Sequence, residues 1–556
     1  MERVYTLGVD FGSTSCRTIA VDVRDGKVIS TVDVLYSHGV ITEKLPNGFA
    51  LPRKRTALQV PNDYLKALTT GIHSILNEPE IIREQIIGIG IDFTASTILP
   101  VAKDFQPLCE ISGFEENPHA YVKLWKHHDA ERFANKMNRL AQGDEWIQRY
   151  GGKVSAEWML PKVIEIAEDA PEVFNETDLF MEASDWIVAQ LTGKLVRNSC
   201  ATGYKGCWNK QEGYLSNEWL KEVHPSLDGI YEDKLRGKVL SVGRKAGGLR
   251  MEMADVLGLK EGTAVSVGMI DAHAALPGLG VKGPGEMVVV MGTSTCHMIM
   301  DEQERKVPGI SGVVEDGIIP GYFAYEAGQA AVGDLFAWYV NEQVPSYVKE
   351  SASRHNLSIH AYLSRQASKL EPGQSGLIAL DWINGSRTPW VNMSLSGTLV
   401  GMKLSTTPAE IYRAYLESTA FGTRVIVELF EDHQVVVNRL ITSGGIPQKN
   451  SFLMQLYADI LQKEIIVDTC ENASALGVAI LAAATAGSEQ GGYNDITEAI
   501  DNMSSSEQQI YYPNKQHKEV YDELFYYYKE LCDYFAGGSS VMSGLTALKN
   551  RFKGGN

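Results

Sequence analysis

The sequence predicts an α/β protein made of two similar halves that meet near residues 280–285, and three observations predict it. Short apolar runs alternate with stretches of helical length along most of the 556 residues, the pattern of helices packed on sheets. A strand, a small-hydroxyl turn and a second strand at Gly12-Ser13-Thr14-Ser15-Cys16 recur at Gly292-Thr293-Ser294-Thr295-Cys296, and a repeat of this kind bears on the whole architecture. Between the copies, Gly280, Gly283, Pro284 and Gly285 mark a boundary.

In the first half, Tyr5–Asp10, Thr18–Val23 and Lys27–Val32 read as three antiparallel strands, the last two joined by the hairpin signal Asp25-Gly26. A helical pattern follows Pro61, and then the strand Ile86–Asp92. In the second half, Glu286–Met291 and His297–Asp301 flank the second turn. A helix is expected from about Thr407 to Glu431, a strand over Arg439–Ser443 and a helix over Asn450–Gln462. The strand Glu464–Val467 and the helix Ala475–Ala486 complete that half. The segment after Gly487 is polar, then helical around Tyr521–Tyr534, and reads as an appended helix and tail. The expected domains are 1–282, 283–490 and a helical extension, 491–556.

Hydrophobic residues make up 44% and charged residues 22%, an ordinary globular balance. The net charge of −18 disfavours a nucleic-acid partner, because an acidic surface repels phosphate backbones. The seven cysteines are odd in number and none is spaced CxxC, which argues against a disulfide framework or a zinc site and for a reducing, cytoplasmic setting. Strand pattern begins at once after Met1, leaving no room for a signal peptide. The apolar stretch Gly477–Ala486 is half of the roughly 20 residues that span a bilayer, so no membrane association is expected.

Four places carry chemistry. Around Asp10-Phe11-Gly12-Ser13-Thr14-Ser15, the glycine permits a tight turn whose N–H groups and hydroxyls can wrap a phosphate. Asp10 can hold Mg²⁺ through water and Arg17 can add positive charge; the competing reading is a polar hairpin. Asp271 follows the strand Ala264–Val267 among apolar and small residues, a costly place for a carboxylate without partners. It suits a base for a hydroxyl proton, or else an N-cap, and His273 beside it reads as structural. Ser443-Gly444-Gly445 lets a flat ring or ribose approach backbone closely, or is a plain turn; it is neither G-x-G-x-x-G nor a P-loop. Glu326, between a strand and the glycine-rich run to Gly333 and Asp334, is placed to grip sugar hydroxyls or to cap a helix. The adjacent His127 and His128, if helical, point about 100° apart and cannot easily share a metal.

Gly8 to Ser15, Gly292-Thr293-Ser294, and Ser443-Gly444-Gly445 with Phe452-Leu453-Met454-Gln455 resemble, in order and across nearly the whole chain, the phosphate and adenosine motifs of the FGGY carbohydrate kinase family. Glu116 to Ala120, Leu124 to His128, Gly151 to Trp158 and Gly203 to Trp208 resemble that family's L-ribulose-phosphorylating branch. Most relatives carry W-x-D-x-R on the cleft helix; here those positions are Trp125, His127 and Asp129, which turns the expectation from xylulose or glycerol toward ribulose.

The resemblance implies two actin-like (ribonuclease H-like) ATPase domains flanking a catalytic cleft, with ATP and Mg²⁺. It implies Asp271 as base, and Ala95, Lys205, Glu326, Trp125 and His127 as contacts of a small ketopentose. ATP contacts fall on Gly12, Ser13, Thr14, Ser15 and Arg17, on Gly292, Thr293 and Gly333, and on Gly444, Gly445 and Asn450. The spacing from Gly445 to Phe452 is one residue longer than in similar glycerol kinases, leaving Lys449 or Asn450 as the adenine-side contact. Mg²⁺ is expected at Asp10 and Asp271. The implied reaction is phosphorylation of L-ribulose, and of D-ribulose, at the terminal hydroxyl in L-arabinose catabolism. The alternatives are another pentulose kinase, such as a xylulokinase, or a non-metabolic actin-like ATPase. A homodimer is compatible with the resemblance.

Overall fold

Tyr5–Phe11 (β1), Ser15–Asp22 (β2) and Val28–Leu35 (β3) form the expected antiparallel meander. The first hairpin is closed by the Gly12 N–H donating to the Ser15 carbonyl at 2.9 Å. The computed structural model describes residues 3–52, 55–505 and 508–553; Met1 and Glu2, at the head of the first expected domain, lie outside the described residues. Helix Pro61–Leu76 (α1) opens on the proline, whose missing N–H costs nothing there, and buries Tyr64, Leu68, Ile72 and Ile75 on one face. It provides the crossover that brings Ile86–Phe93 (β4) parallel to β1, with Asp92 opposite Asp10. Further along come Ser199–Lys205 (α2), Lys245–Gly248 (β5), Ala264–Ser266 (β6), Met269–Ile270 (β7) and Asp271–Gly278 (α3). The sheet order is β5-β6-β4-β1-β2-β3, with β7 also paired to β4.

The second half runs Gly285–Met291 (β8), Thr295–Asp301 (β9), Gly312–Glu315 (β10), Phe323–Gln329 (β11) and Gly333–Trp338 (α4). It continues with Pro408–Asp432 (α5), Val437–Ser443 (β12), Gly445–Lys449 (α6), Ser451–Leu461 (α7), Glu464–Asp468 (β13) and Ala473–Ala486 (α8). Gln508–Tyr511 (β14) and Lys518–Ala536 (α9) follow. The order is β10-β11-β9-β8-β12-β13-β14. Strand for strand, β11-β9-β8-β12-β13-β14 repeats β3-β2-β1-β4-β6-β5, with two antiparallel pairings, two parallel and one antiparallel in each. The short repeat in sequence is therefore the visible trace of a repeated topology.

The segment after residue 490 holds more than helix. β14 pairs antiparallel with β13 and occupies the place that β5 has in the first sheet. Its residues Gln508-Gln509-Ile510-Tyr511 are mostly exposed, Ile510 included, as an edge strand tolerates, so they carry no apolar alternation to read. α9 buries Tyr521, Phe525, Tyr528 and Cys532 against the second-half core. α5 starts at the capping box Thr407/Glu410, which satisfies two helix-end donors.

One apolar core lies outside each sheet, a third lies between them, built around α3 and α8, and a fourth, holding Leu58, Ile98, Leu160 and Phe180, belongs to the first half. α8 is buried along most of its length although it belongs to the second half. It packs on β1 and β4 because Gly8 and Gly90 present no side chain: a Cβ at either would stand 1.9 Å from a carbonyl oxygen of the helix. α3 and α8 cross backbone to backbone at Gly278 and Gly477. Leu58–Gln59, Ile98–Val101, Val122–Lys123 and Leu179–Glu182 form a small four-stranded sheet in the first half. Among the described residues no helix is long and apolar enough to cross a membrane.

Candidate active site

The parallel strands of the first sheet end together, and carboxylates stand at those ends. Asp10 on β1 is opposite Asp92 on β4, Asp92 is opposite Met269 on β7, and Asp271 opens α3 just beyond. The carboxyl ends of parallel strands are where open α/β sheets bind ligands. Asp271 accepts from the Ala272 N–H at 2.7 Å. Burial, and then the neighbouring Asp10 charge, push its carboxyl up to about 7, near neutral pH, where a general base works best. Burial also raises Asp10, against the pull of Asp92 and Arg17. Asp92 is fully buried and lies well above the usual carboxylate range, through burial and then the Asp10 charge.

On the second-half side a cavity of about 270 Å³ is lined by Asp10, Ala272, Ser443, Gly444, Gln448 and Asn472, among others. Gly444 has φ +106, and a Cβ there would meet the Met291 carbonyl at 2.4 Å, so glycine alone fits this strand-to-helix turn. The two hairpin turns are built alike: Gly292 N–H donates to Ser294 O at 2.9 Å, as Gly12 does to Ser15. Gly333 N–H donates to Gly292 O at 3.0 Å, tying the start of α4 to the second turn. Thr14, Gly292 and Thr293 are exposed, with Ser13 and Ser15 half-buried beside the first turn.

On the other side Lys205, the last residue of α2, points Nζ to Glu326 Oε2 at 3.1 Å. Burial works against the charges, but each partner holds the other ionised: Lys205 stays above its ordinary value and Glu326 below. His273 Nε2 is 3.5 Å from the same oxygen, and its ring lies 4.4 Å from that of Tyr204. Trp158 faces Lys205 Nζ at 5.8 Å. The loop carrying Ala95 is pinned by Lys162, whose buried Nζ donates to Ser96 O at 2.6 Å and Leu124 O at 3.0 Å. Trp125, on the second pinned loop, donates Nε1–H to Ser13 Oγ at 3.1 Å and so couples this loop to the first turn.

The raised Asp271 carboxyl thus stands between a polar pocket with a buried cation–carboxylate pair and a cavity edged by glycine turns. Residues 5–278 match the model described as "FGGY family of carbohydrate kinases, N-terminal domain", and 287–486 match its C-terminal domain. The chain belongs to the FGGY family of carbohydrate kinases. This kinase is 48% identical over 553 residues to the ribulokinase of Halalkalibacterium halodurans, covering 99% of this chain and 98% of that one. It is 46% identical over 552 residues to the ribulokinase of Anoxybacillus flavithermus, covering 99% and 98%. Two solved structures share the two-domain, actin-like fold at 18% identity. They are a xylulose kinase (TM-score 0.79, 96% and 98% covered) and a gluconate kinase (TM-score 0.80, 96% and 99% covered), both from Lactobacillus acidophilus.

Three of the expected contact residues have partners within the chain. Arg17 is ion-paired to Asp33 at 2.9 Å and donates to Glu471 O at 3.2 Å, so it cross-links β2, β3 and the approach to α8. Asn450 is the N-cap of α7: its Oδ1 accepts from Leu453 N at 3.1 Å and its Nδ2 donates to Ser364 Oγ at 3.2 Å. Lys449 is exposed, and Gln448 is the side chain of that stretch at the cavity. His127 lies in a turn, not on a helix, and is 1% exposed. Its Nε2 meets Glu165 at 2.8 Å and its Nδ1 accepts from Ala57 N at 3.4 Å, so it supports the Trp125 loop from behind with no nitrogen free for a sugar. His127, Asp129 and Glu165 approach one another within 4.8 Å, but Lys123 Nζ, 3.3 Å from Glu165, already supplies the cation there. Glu326 sits in the middle of β11, opposite Met298, not at a helix entry.

Asp92, Lys162, Trp158 and Gln448 were not legible as site residues. A carboxylate near the end of an apolar strand and a lysine within the apolar helix Met159–Asp169 were the available signals.

Proposed function

We propose that this kinase transfers the γ-phosphoryl group of ATP to the terminal hydroxyl of L-ribulose, and of D-ribulose, giving the 5-phosphate in L-arabinose catabolism. The observation that carries the reading is Asp271 at the meeting point of the Lys205–Glu326 pair and the 270 Å³ cavity. Near-full-length identity to ribulokinases supports the choice of sugar.

In this reading Ala95, Trp125, Lys205 and Glu326 orient the ketopentose, and the Asp271 carboxylate receives the proton of the attacking hydroxyl. The turns at Gly12–Ser15 and Gly292–Thr293, with Gly333, Gly444 and Gly445, hold the nucleotide. The oxygen donors of Asp10 and Asp271 suit Mg²⁺, which when bound neutralises charge on the phosphates. Residues 1–282 act as the sugar side and 283–490 as the nucleotide side. Closure of the halves excludes water and limits idle ATP hydrolysis. The enzyme works in the cytoplasm, and the dimer remains part of the proposal.

The test is ATP turnover against L-ribulose, D-ribulose, D-xylulose, L-xylulose and glycerol. Strong turnover on the ribuloses supports the reading. A clear preference for D-xylulose replaces the sugar, and turnover on none, with ATP still bound, replaces it with a non-metabolic ATPase.

A further inference from the structure

Asp92 has no role in the fold that its surroundings explain. It is 0% exposed, and apart from the neighbouring Asp10 carboxyl, with which it shares a hydrogen bond, no donor among the described residues reaches either carboxylate oxygen. Three other buried carboxylates are provided for. Asp185 accepts from both the backbone and the side chain of Asn198, Glu165 lies against Lys123 and His127, and Glu417 lies against Arg413. The charged groups acting on Asp92 are the Asp10 and Asp271 carboxyls; Arg17 acts on Asp10 and Lys205 on Asp271, and neither cation acts on Asp92.

Register explains how the three come together. Asp10, Asp92 and Met269 are direct partners across three parallel strands, and partners in register point to the same sheet face. Asp10 lines the cavity, and Asp271 follows Met269 by two residues at the start of α3. Asp92 therefore lies between the strand that carries Asp10 and the strand that leads to Asp271. A buried carboxylate is tolerated when a cation completes its surroundings. Hard divalent cations that keep part of their water shell use such groups to orient their ligands.

We propose that Asp92 is a positioning residue for the nucleotide's divalent cation, completing with Asp10 and Asp271 a three-carboxylate cradle. Its carboxylate accepts from cation-bound water and holds Asp10 in line. The proposal rests on the reading that a divalent cation accompanies ATP at Asp10.

The test is equilibrium Mn²⁺ binding, followed by electron paramagnetic resonance, to the full chain saturated with ADP. Wild type, Asp92→Asn and Asp10→Asn are compared. Asp92→Asn is expected to bind Mn²⁺ about 10-fold or more weakly, the usual effect of removing an outer partner. Without metal, its ADP affinity is expected to be unchanged and its melting temperature equal to wild type or higher, since a carboxylate repelled by its neighbours is gone. If Asp92→Asn binds Mn²⁺ like wild type while Asp10→Asn is weakened, the role of Asp92 falls and the cation site stands. If Asp10→Asn is also unaffected, both readings fall. If Asp92→Asn does not fold, or melts lower, Asp92 is structural and the proposal is overturned.

Discussion

Lys205 Nζ lies 3.1 Å from Glu326 Oε2, so the last residue of a first-half helix is ion-paired to the middle of a second-half strand. The same helix is stitched to that half by Tyr204 Oη donating to Ala324 O and Ser199 Oγ donating to Asp316 O, both at 2.6 Å. The polar pocket beside Asp271 thus exists only where the halves meet.

Breaking this pair leaves a buried charge. Glu326→Gln is expected to lower stability by about 3 kcal/mol, at the modest end of the cost of orphaning a buried ion because Glu326 keeps some exposure, and to lower kcat/KM for ribulose about 100-fold through lost orientation. Replacing both partners, Lys205→Met with Glu326→Leu, is expected to restore much of the stability and none of the activity. Calorimetry and steady-state kinetics on the same samples separate the two effects.

Asp271 predicts a pH profile. Its folded-state pKa is raised from 3.8 to about 7 by burial and by Asp10. The carboxylate form is the base, so kcat/KM for the sugar is expected to be level above pH 7 and to fall about tenfold per unit below it. Asp271→Asn is expected to lose that limb and at least about 10²-fold in turnover. For stability the sign is opposite: a raised acid pKa means stability declines as pH rises from 3.8 to about 7. Asp271→Asn removes that slope in denaturant titrations.

Backbone contact at the helix crossing makes Gly477 sensitive. A Cβ there would stand 1.8 Å from the Ala274 carbonyl of α3. Gly477→Ala is expected to cost about 1–3 kcal/mol in urea unfolding and to lower kcat as well, because α3 begins with Asp271. Full activity with reduced stability would separate the crossing from the site.

Trp125→Phe removes the indole donor to Ser13 Oγ while keeping the ring. The loss of one hydrogen bond, about 1 kcal/mol, is expected to raise KM about fivefold, with an intact melting curve. An unchanged KM for both sugar and ATP would show that the Trp125–Ser13 link does not couple the two sites.

How legible the site was depended on the kind of signal each residue left. Asp10, Gly12, Gly292 and Gly444 sit in local turns, whose chemistry is written in three to six neighbouring residues. Asp271 was visible as a carboxylate in an apolar context. The partners that hold Arg17 and Asn450 were not legible, because Asp33, Glu471 and Ser364 are brought up by other strands and helices. His127 looked like a cleft residue because nothing nearby in sequence announces Glu165. β14 was invisible because an edge strand needs no apolar pattern.

The amino-acid sequence by itself determined the α/β class, the repeated hairpin turns, most long elements and the family, since periodicity, turn glycines and motif order are local properties. Only the tertiary structure decided that α8 of the second half packs against the first sheet at Gly8 and Gly90, that Lys205 meets Glu326, and that Asp92 joins Asp10 and Asp271. Those contacts arise from strand register and helix crossings between residues far apart in the chain, and no local pattern encodes which distant surfaces will meet.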